Sequence, residues 1–245
     1  MEGTKYKVMV FLLLLFAAKH ATGNNPEIYA AFITGDMQRW QKMIDRMDLE
    51  KENNAAVLAE LVNYQYGFIG WCVGNKKYDD ARKYLERAYG NLEALAKVKG
   101  YESLVYAYQS AFYGYRIGMN YLQAPILGPK SIECARKSIL LDRNNAFGYV
   151  QCGNTEFYMP KIFGGSKAEA LRYYLKAQEI MERNDAVLKN DWNYLSLLTV
   201  IAQTYSYLGD RESSRHYLDR ILSIEPRFEW IRNELYPQIM IRTEN

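Results

Sequence analysis

The sequence predicts an all-α chain of antiparallel helix pairs stacked one on the next. Three observations predict it. Apolar residues recur at steps of three and four along most of the chain, which is the helical period. Only six Pro occur in 245 residues, and none is expected to interrupt the long periodic stretches, which argues against an all-β fold with many turns. A helix–turn–helix unit also recurs, with Ala146 opening one unit 34 residues after Phe112 opens the one before. Tyr is unusually common, 22 against 9 Phe. Its apolar body and polar tip suit half-buried helix faces.

The first segment is read as an address. Lys5 and Lys7 precede an unbroken apolar run from Val8 to Ala18, and Ala21-Thr22-Gly23 follow before polar Asn24-Asn25-Pro26. A positive head, an apolar centre and small residues at the end are the pattern of a secretory signal peptide. The run is shorter than the roughly 20 residues that span a bilayer. Residues 1–23 are therefore expected to be removed on export. Residues 24–245 are expected to form one helical repeat domain, periplasmic or extracellular and without stable membrane insertion.

Within that domain, residues 27–50 read as a helical hairpin capping the stack. Ile28, Phe32 and Ile33 precede Gly35-Asp36, and Trp40, Met43, Ile44 and Met47 follow at helical spacing. Repeats are expected over about 62–95, 112–145, 146–184 and 195–228. The last is the clearest. Leu198, Ile201, Ala202 and Tyr205 define its first helix, and Gly209-Asp210 breaks that helix, with Asp210 placed to cap the next. Leu218, Ile221 and Leu222 define the second, and Ile224-Glu225-Pro226 ends it. Small Ala81, Ala88, Ala170 and Ala177 allow close helix approach. Ser166 and Glu169 fit a capping box opening a helix.

The last unit resembles a tetratricopeptide repeat in its helix, Gly-Asp turn, helix and closing Ile-Glu-Pro. The run from Tyr78 to Ala88 resembles that family's second helix. The resemblance implies a right-handed superhelix whose concave face is lined by first helices. The 146–184 unit departs from the pattern by a longer gap between its helices, filled by Tyr158-Met-Pro160-Lys-Ile-Phe163-Gly164-Gly165. Phe163 is expected to plug the neighbouring helix gap. This Pro-Lys-Ile-Phe-Gly-Gly stretch resembles a loop of exported bacterial tetratricopeptide proteins, including components associated with TRAP-type periplasmic transporters.

Several chemistries find little support. Beyond the leader only His216 remains, too few for a His-based metal site or a nucleophile–His pair. Gly164-Gly165-Ser166 lacks the remaining Gly and the Lys of a phosphate loop and reads as a tight capped connection. Asp79-Asp80 read as turn and cap residues. Cys72, Cys134 and Cys152 are an odd set, read as buried thiols, with a Cys134–Cys152 disulfide left open. The net charge is +3, of which residues 1–23 carry +2, so no basic field for nucleic acid is present. No cofactor and no enzymatic activity are expected.

The functional expectation is a scaffold that takes a protein or peptide partner, or a small ligand, on its concave face. Tyr66, Tyr113, Arg116, Asn120, Asn154, Tyr158 and Gln203 are the candidate contacts. Some tetratricopeptide domains hold a terminal carboxylate with Asn and basic residues, and Arg116, Asn120 and Asn154 partly match that set. The alternatives are an accessory component of a periplasmic solute-transport system and, with no motif in its favour, an enzyme of unknown type.

Overall fold

The computed structural model describes residues 25–50 and 54–241, and among them no strand occurs. The leader expected over 1–23 lies outside the described residues. Five helix pairs follow in order: α1 (Pro26–Thr34) with α2 (Met37–Glu50), α3 (Ala55–Gly74) with α4 (Tyr78–Ala96), α5 (Glu102–Met119) with α6 (Ala124–Leu141), α7 (Ala146–Tyr158) with α8 (Lys167–Met181), and α9 (Trp192–Leu208) with α10 (Arg211–Ile224). A π-turn and α11 (Tyr236–Ile241) finish the described chain. Neighbouring pairs pack on one another, so the chain is an all-α helical repeat.

Three of the hairpin turns share one backbone solution. Gly35 (φ 69°), Lys76 (φ 58°) and Gly209 (φ 82°) each take the left-handed conformation that ends a helix. The next residue's N–H then donates back to a carbonyl five residues earlier: Asp36 to Ala31, Lys77 to Cys72 and Asp210 to Tyr205. Asp36 and Asp210 go on to cap the following helix, accepting from Arg39 N–H and Ser213 N–H at 3.0 Å. Lys77 has no such capping bond. The middle turn thus keeps the geometry while lacking both residues that favour it.

Ala81, Ala88, Ala170 and Ala177 are all fully buried, as close helix approach requires. The capping box at α8 is half formed. Ser166 Oγ accepts from Glu169 N–H, but the Glu169 side chain turns to Arg172 instead. The helices also start earlier than the repeat frame suggests. α3 opens at Ala55 rather than near Val62, and α5 at Glu102, well ahead of Phe112. Pro129, contrary to expectation, lies inside α6. It costs one ladder hydrogen bond, but both Pro129 and the Pro125 carbonyl it orphans are on the exposed surface, where water can serve.

The first helices α3, α5 and α7 run parallel. Asn63 accepts from the Tyr108 hydroxyl about midway along α3, and Val73 meets Gly118 near its end. Tyr108 then packs on Phe147, with ring centroids 4.6 Å apart. Phe157 at the end of α7 meets Tyr207 at the end of α9.

The N-terminal hairpin does more than cap one end. It packs on α3 and also reaches α9, at the far end of the sequence. Trp192 of α9 meets Trp40 (5.0 Å between centroids) and Phe32 (5.8 Å), and Phe32 meets Phe228 (4.9 Å). Trp40 Nε1 donates to the Tyr64 carbonyl at 2.9 Å, and the Tyr29 hydroxyl donates to Glu225 at 3.2 Å. Gly67 makes room for this junction: a Cβ there would lie 2.7 Å from Trp40 and 2.8 Å from Trp192. Each fully buried aromatic of this kind contributes on the order of 2–3 kcal/mol through area removed from water.

Candidate functional site

The seven residues expected on one concave face are divided by the fold among four places. Tyr66 is enclosed in an aromatic cluster, with its ring stacked on Tyr115 (5.5 Å) and edge-on to Phe147 (5.0 Å) and Tyr108 (6.1 Å). Burial pushes its hydroxyl pKa up, with Gln151, Tyr115 and Asn154 beside it acting the other way. Asn154 is used internally: its Oδ1 accepts from the Tyr174 hydroxyl at 2.8 Å and its Nδ2 donates to Gln151 at 3.2 Å. The centre of the stack is therefore filled by the protein's own side chains around Tyr66. Gln203 is half-buried on α9. Tyr158 is exposed at the end of α7.

Tyr113, Arg116 and Asn120 belong together elsewhere. Arg116 and Asn120 line an open cleft of about 410 Å³ between α4 and the C-terminal half of α5. Arg82, Leu85, Glu86 and Tyr89 form its α4 wall, and Met119 and Gln123 complete the other. The wall residues follow from helix geometry. Arg82, Glu86 and Tyr89 recur at steps of four and three, so they share one face of α4. Tyr89 is fixed from behind by Phe112, edge-on at 5.2 Å. Its hydroxyl pKa is raised by burial, while the neighbouring Arg116 guanidinium draws it down and Tyr113 adds a smaller upward push.

The polar inventory of the cleft is specific. Arg82 is engaged by Asp79 at 2.5 Å. Arg116 makes no ion pair among the described residues. Asn120 ends α5 and its Oδ1 accepts from Leu122 N–H at 3.1 Å, which leaves the amide nitrogen as a donor. A guanidinium and an amide donor one helical turn apart, above the apolar floor of Leu85, Tyr89 and Met119, suit a carboxylate carried on an apolar segment. The repeat frame puts Arg116 and Asn120 together on one face of a first helix, and both line this cleft. It misses the α4 wall because it considers only first helices; the repeated spacing of Arg82, Glu86 and Tyr89 is the available signal.

Phe163 does not plug a helix gap. It is 73% exposed. Pro160 O accepts from both Phe163 N–H and Gly165 N–H, so the loop closes on itself and turns Ile162 and Phe163 outward. Gly164 (φ 97°) takes a left-handed backbone, and a Cβ on Gly165 would collide with the Met159 carbonyl. The inter-helix space is filled instead by Tyr174, whose ring packs directly against Gly153. Lys167 closes the outer side, with its ammonium 3.8 Å from the Phe157 ring centroid and donating to the Phe157 carbonyl. The three cysteines are free thiols. Cys72 and Cys152 are buried, and the Cys134 thiol faces Gln109. His216 is exposed on α10.

This architecture defines a helix-pair repeat protein with a polar-rimmed surface cleft. Residues 195–228, spanning most of α9 through α10 to Phe228, match the tetratricopeptide repeat family. No curated protein matches the chain.

Proposed function

We propose that the chain is an interaction scaffold that takes a partner segment in the α4/α5 cleft, with Arg116 pairing a carboxylate of that segment. The observation that carries this is Arg116 itself: a half-buried guanidinium with no carboxylate partner among the described residues, beside the Asn120 amide and over an apolar floor. Tetratricopeptide repeats serve mainly as protein-interaction scaffolds, which supports the general reading. The scaffold is placed outside the cytoplasm in this proposal, on the strength of the charged head and apolar run of residues 1–23. No catalytic step is part of it.

A peptide-display selection against the protein and against the double variant Arg116→Ala/Asn120→Ala tests the cleft. Sequences bearing a carboxylate next to apolar side chains should be enriched on the first and lost on the second. Loss of one charge-assisted pair corresponds to about 1.5–3 kcal/mol, or at least about tenfold in affinity. Identical enrichment on both proteins would remove Arg116 from the reading. A second reading, an accessory role in periplasmic solute transport, draws on the Pro160–Gly165 loop alone, whose self-closed turn presents Ile162 and Phe163 outward. Co-purification with a solute-binding protein, abolished when the loop is shortened, would support it.

A further inference from the structure

The parallel run of α3, α5, α7 and α9 gathers their C-terminal ends along one rim of the molecule. Short turns project from it. Tyr121 (78% exposed) and Leu122 (71%) stand on the turn after α5, and Ile162 (86%) and Phe163 (73%) on the turn after α7. Exposures this high mean that the side chains stand clear of the body and line no groove. Ile126 and Tyr158 extend the same apolar rim. A cluster of this kind marks an interaction surface.

Its charge is basic on balance. Residues 71–85, 117–131 and 157–174, which take in the turns and the first two turns of the helices that follow, contain eight Lys or Arg against three acids, Asp79, Asp80 and Glu169, of which Asp79 and Glu169 are paired with Arg82 and Arg172. Lys76, Lys77 and Lys161 are exposed at the turns, and Lys130 lies within the first two turns of α6. Lys167 is the inward exception, held over Phe157 and Tyr207. The fourth connection, at Gly209, carries Asp210 and Glu212 and bounds the patch.

We propose that this rim docks the protein on an anionic lipid surface, with Tyr121, Leu122, Ile162 and Phe163 seated at headgroup level and Lys76, Lys77 and Lys161 on the lipid phosphates. Projecting aromatic and aliphatic tips among lysines match the interfacial zone, where apolar bodies enter and cations meet phosphate. Two copies facing each other through this patch would set lysines against lysines, since a two-fold contact pairs a surface with itself. The rim is separate from the α4/α5 cleft, so either assignment can fail alone.

The test is co-sedimentation of the full chain with vesicles of phosphatidylcholine, alone or mixed with phosphatidylglycerol. All proteins carry Leu13→Asp and Leu15→Asp, so that the N-terminal apolar run does not itself partition. Binding to the mixed vesicles and not to the neutral ones is expected, weakening as salt rises. Ile162→Ser/Phe163→Ser, and separately Lys76→Gln/Lys77→Gln/Lys161→Gln, should each reduce it by about tenfold or more. All of these side chains are exposed, so the helical circular dichroism should be unchanged. Equal binding to both vesicle types, or binding untouched by either set, overturns the proposal. So does a concentration-dependent dimer that the apolar substitutions dissolve, which would assign the rim to a second copy.

Discussion

Replacing Lys76-Lys77 by Gly-Asp should stabilise the protein, because the α3–α4 turn already has the backbone of the two Gly-Asp turns without their residues. Lys76 holds φ 58°. A left-handed backbone costs a residue with a Cβ about 1–2 kcal/mol, and glycine's greater freedom in the unfolded chain returns about 0.5–1 of that. The net gain from Lys76→Gly is about 0.5–1 kcal/mol. An N-cap carboxylate from Lys77→Asp adds about 1 kcal/mol. It would occupy the place that Asp36 and Asp210 occupy at α2 and α10. Against this, Lys77 gives up its position 5.2 Å over the Trp71 ring, worth about 0.5 kcal/mol at an exposed site. The new carboxylate would also stand close to Asp79 and Asp80, a small repulsion at this exposed helix start. The double variant should gain about 1 kcal/mol, a rise in Tm of about 2–4 °C for a chain of this size. Thermal unfolding followed by circular dichroism reads it directly, and urea titration should move the midpoint with the slope unchanged. If Lys76→Gly alone lowers Tm, the turn is not strained at that residue and the reasoning fails.

Gly67→Ala should destabilise by about 1–3 kcal/mol, because its methyl would meet Trp40 and Trp192 under 3 Å away in a rigid junction; an unfolding midpoint equal to that of the parent would contradict the packing described. Burial pushes the Asp191 carboxyl up to about 6 from an ordinary 3.8. The protonated form is thus favoured in the folded state, and stability present below about pH 4 is lost as pH rises through about 6. The loss is on the order of 2 kcal/mol. Asp191→Asn keeps a capping oxygen for Asn193 N–H and should flatten that slope, which urea midpoints across about pH 4–7 would reveal. With a thiol reagent, the native protein should label Cys134 first. Cys72 and Cys152 are buried with their pKa pushed up to about 12, and should follow on unfolding. No reactive thiol in the native protein and only one after unfolding would signal a Cys134–Cys152 bond.

The helix pairs were legible because their turns and small residues are local signals. Gly209-Asp210 and Ser166 act within a few residues, and Ala81 and Ala170 mark contacts by size alone. The α3–α4 turn was legible only by position, since Lys76 carries none of the chemistry that its conformation favours. The site was less legible because it depends on which face of a first helix looks where. Arg116 and Asn120 stand out together in the sequence and do share a surface, yet Tyr66 and Asn154 turn inward. Nothing in their own residues distinguishes the two outcomes. The difference comes from Phe147 and Trp192, which reach Tyr66 from elements far along the chain. Phe163 illustrates the same limit: a large apolar residue between two helices suggests a plug, but the Gly165 backbone contact decides its direction.

The junction of α1 and α2 with α9 changes what kind of object this repeat protein is. An open stack of repeats behaves as a one-dimensional chain of neighbours, in which folding can start anywhere and ends fray independently. Here Tyr29 is bonded to Glu225 and Phe32 is packed on Phe228, so the two ends stabilise each other. Such contacts join residues almost 200 positions apart, and closing so long a loop is slow. Folding must therefore bring the first hairpin and α9 together across most of the chain, and without that contact Trp40 and Trp192 lose each other's cover. A chain lacking its last helices would not lose one repeat's share of stability. It would unlatch the first hairpin as well, and expose apolar surface at both ends at once.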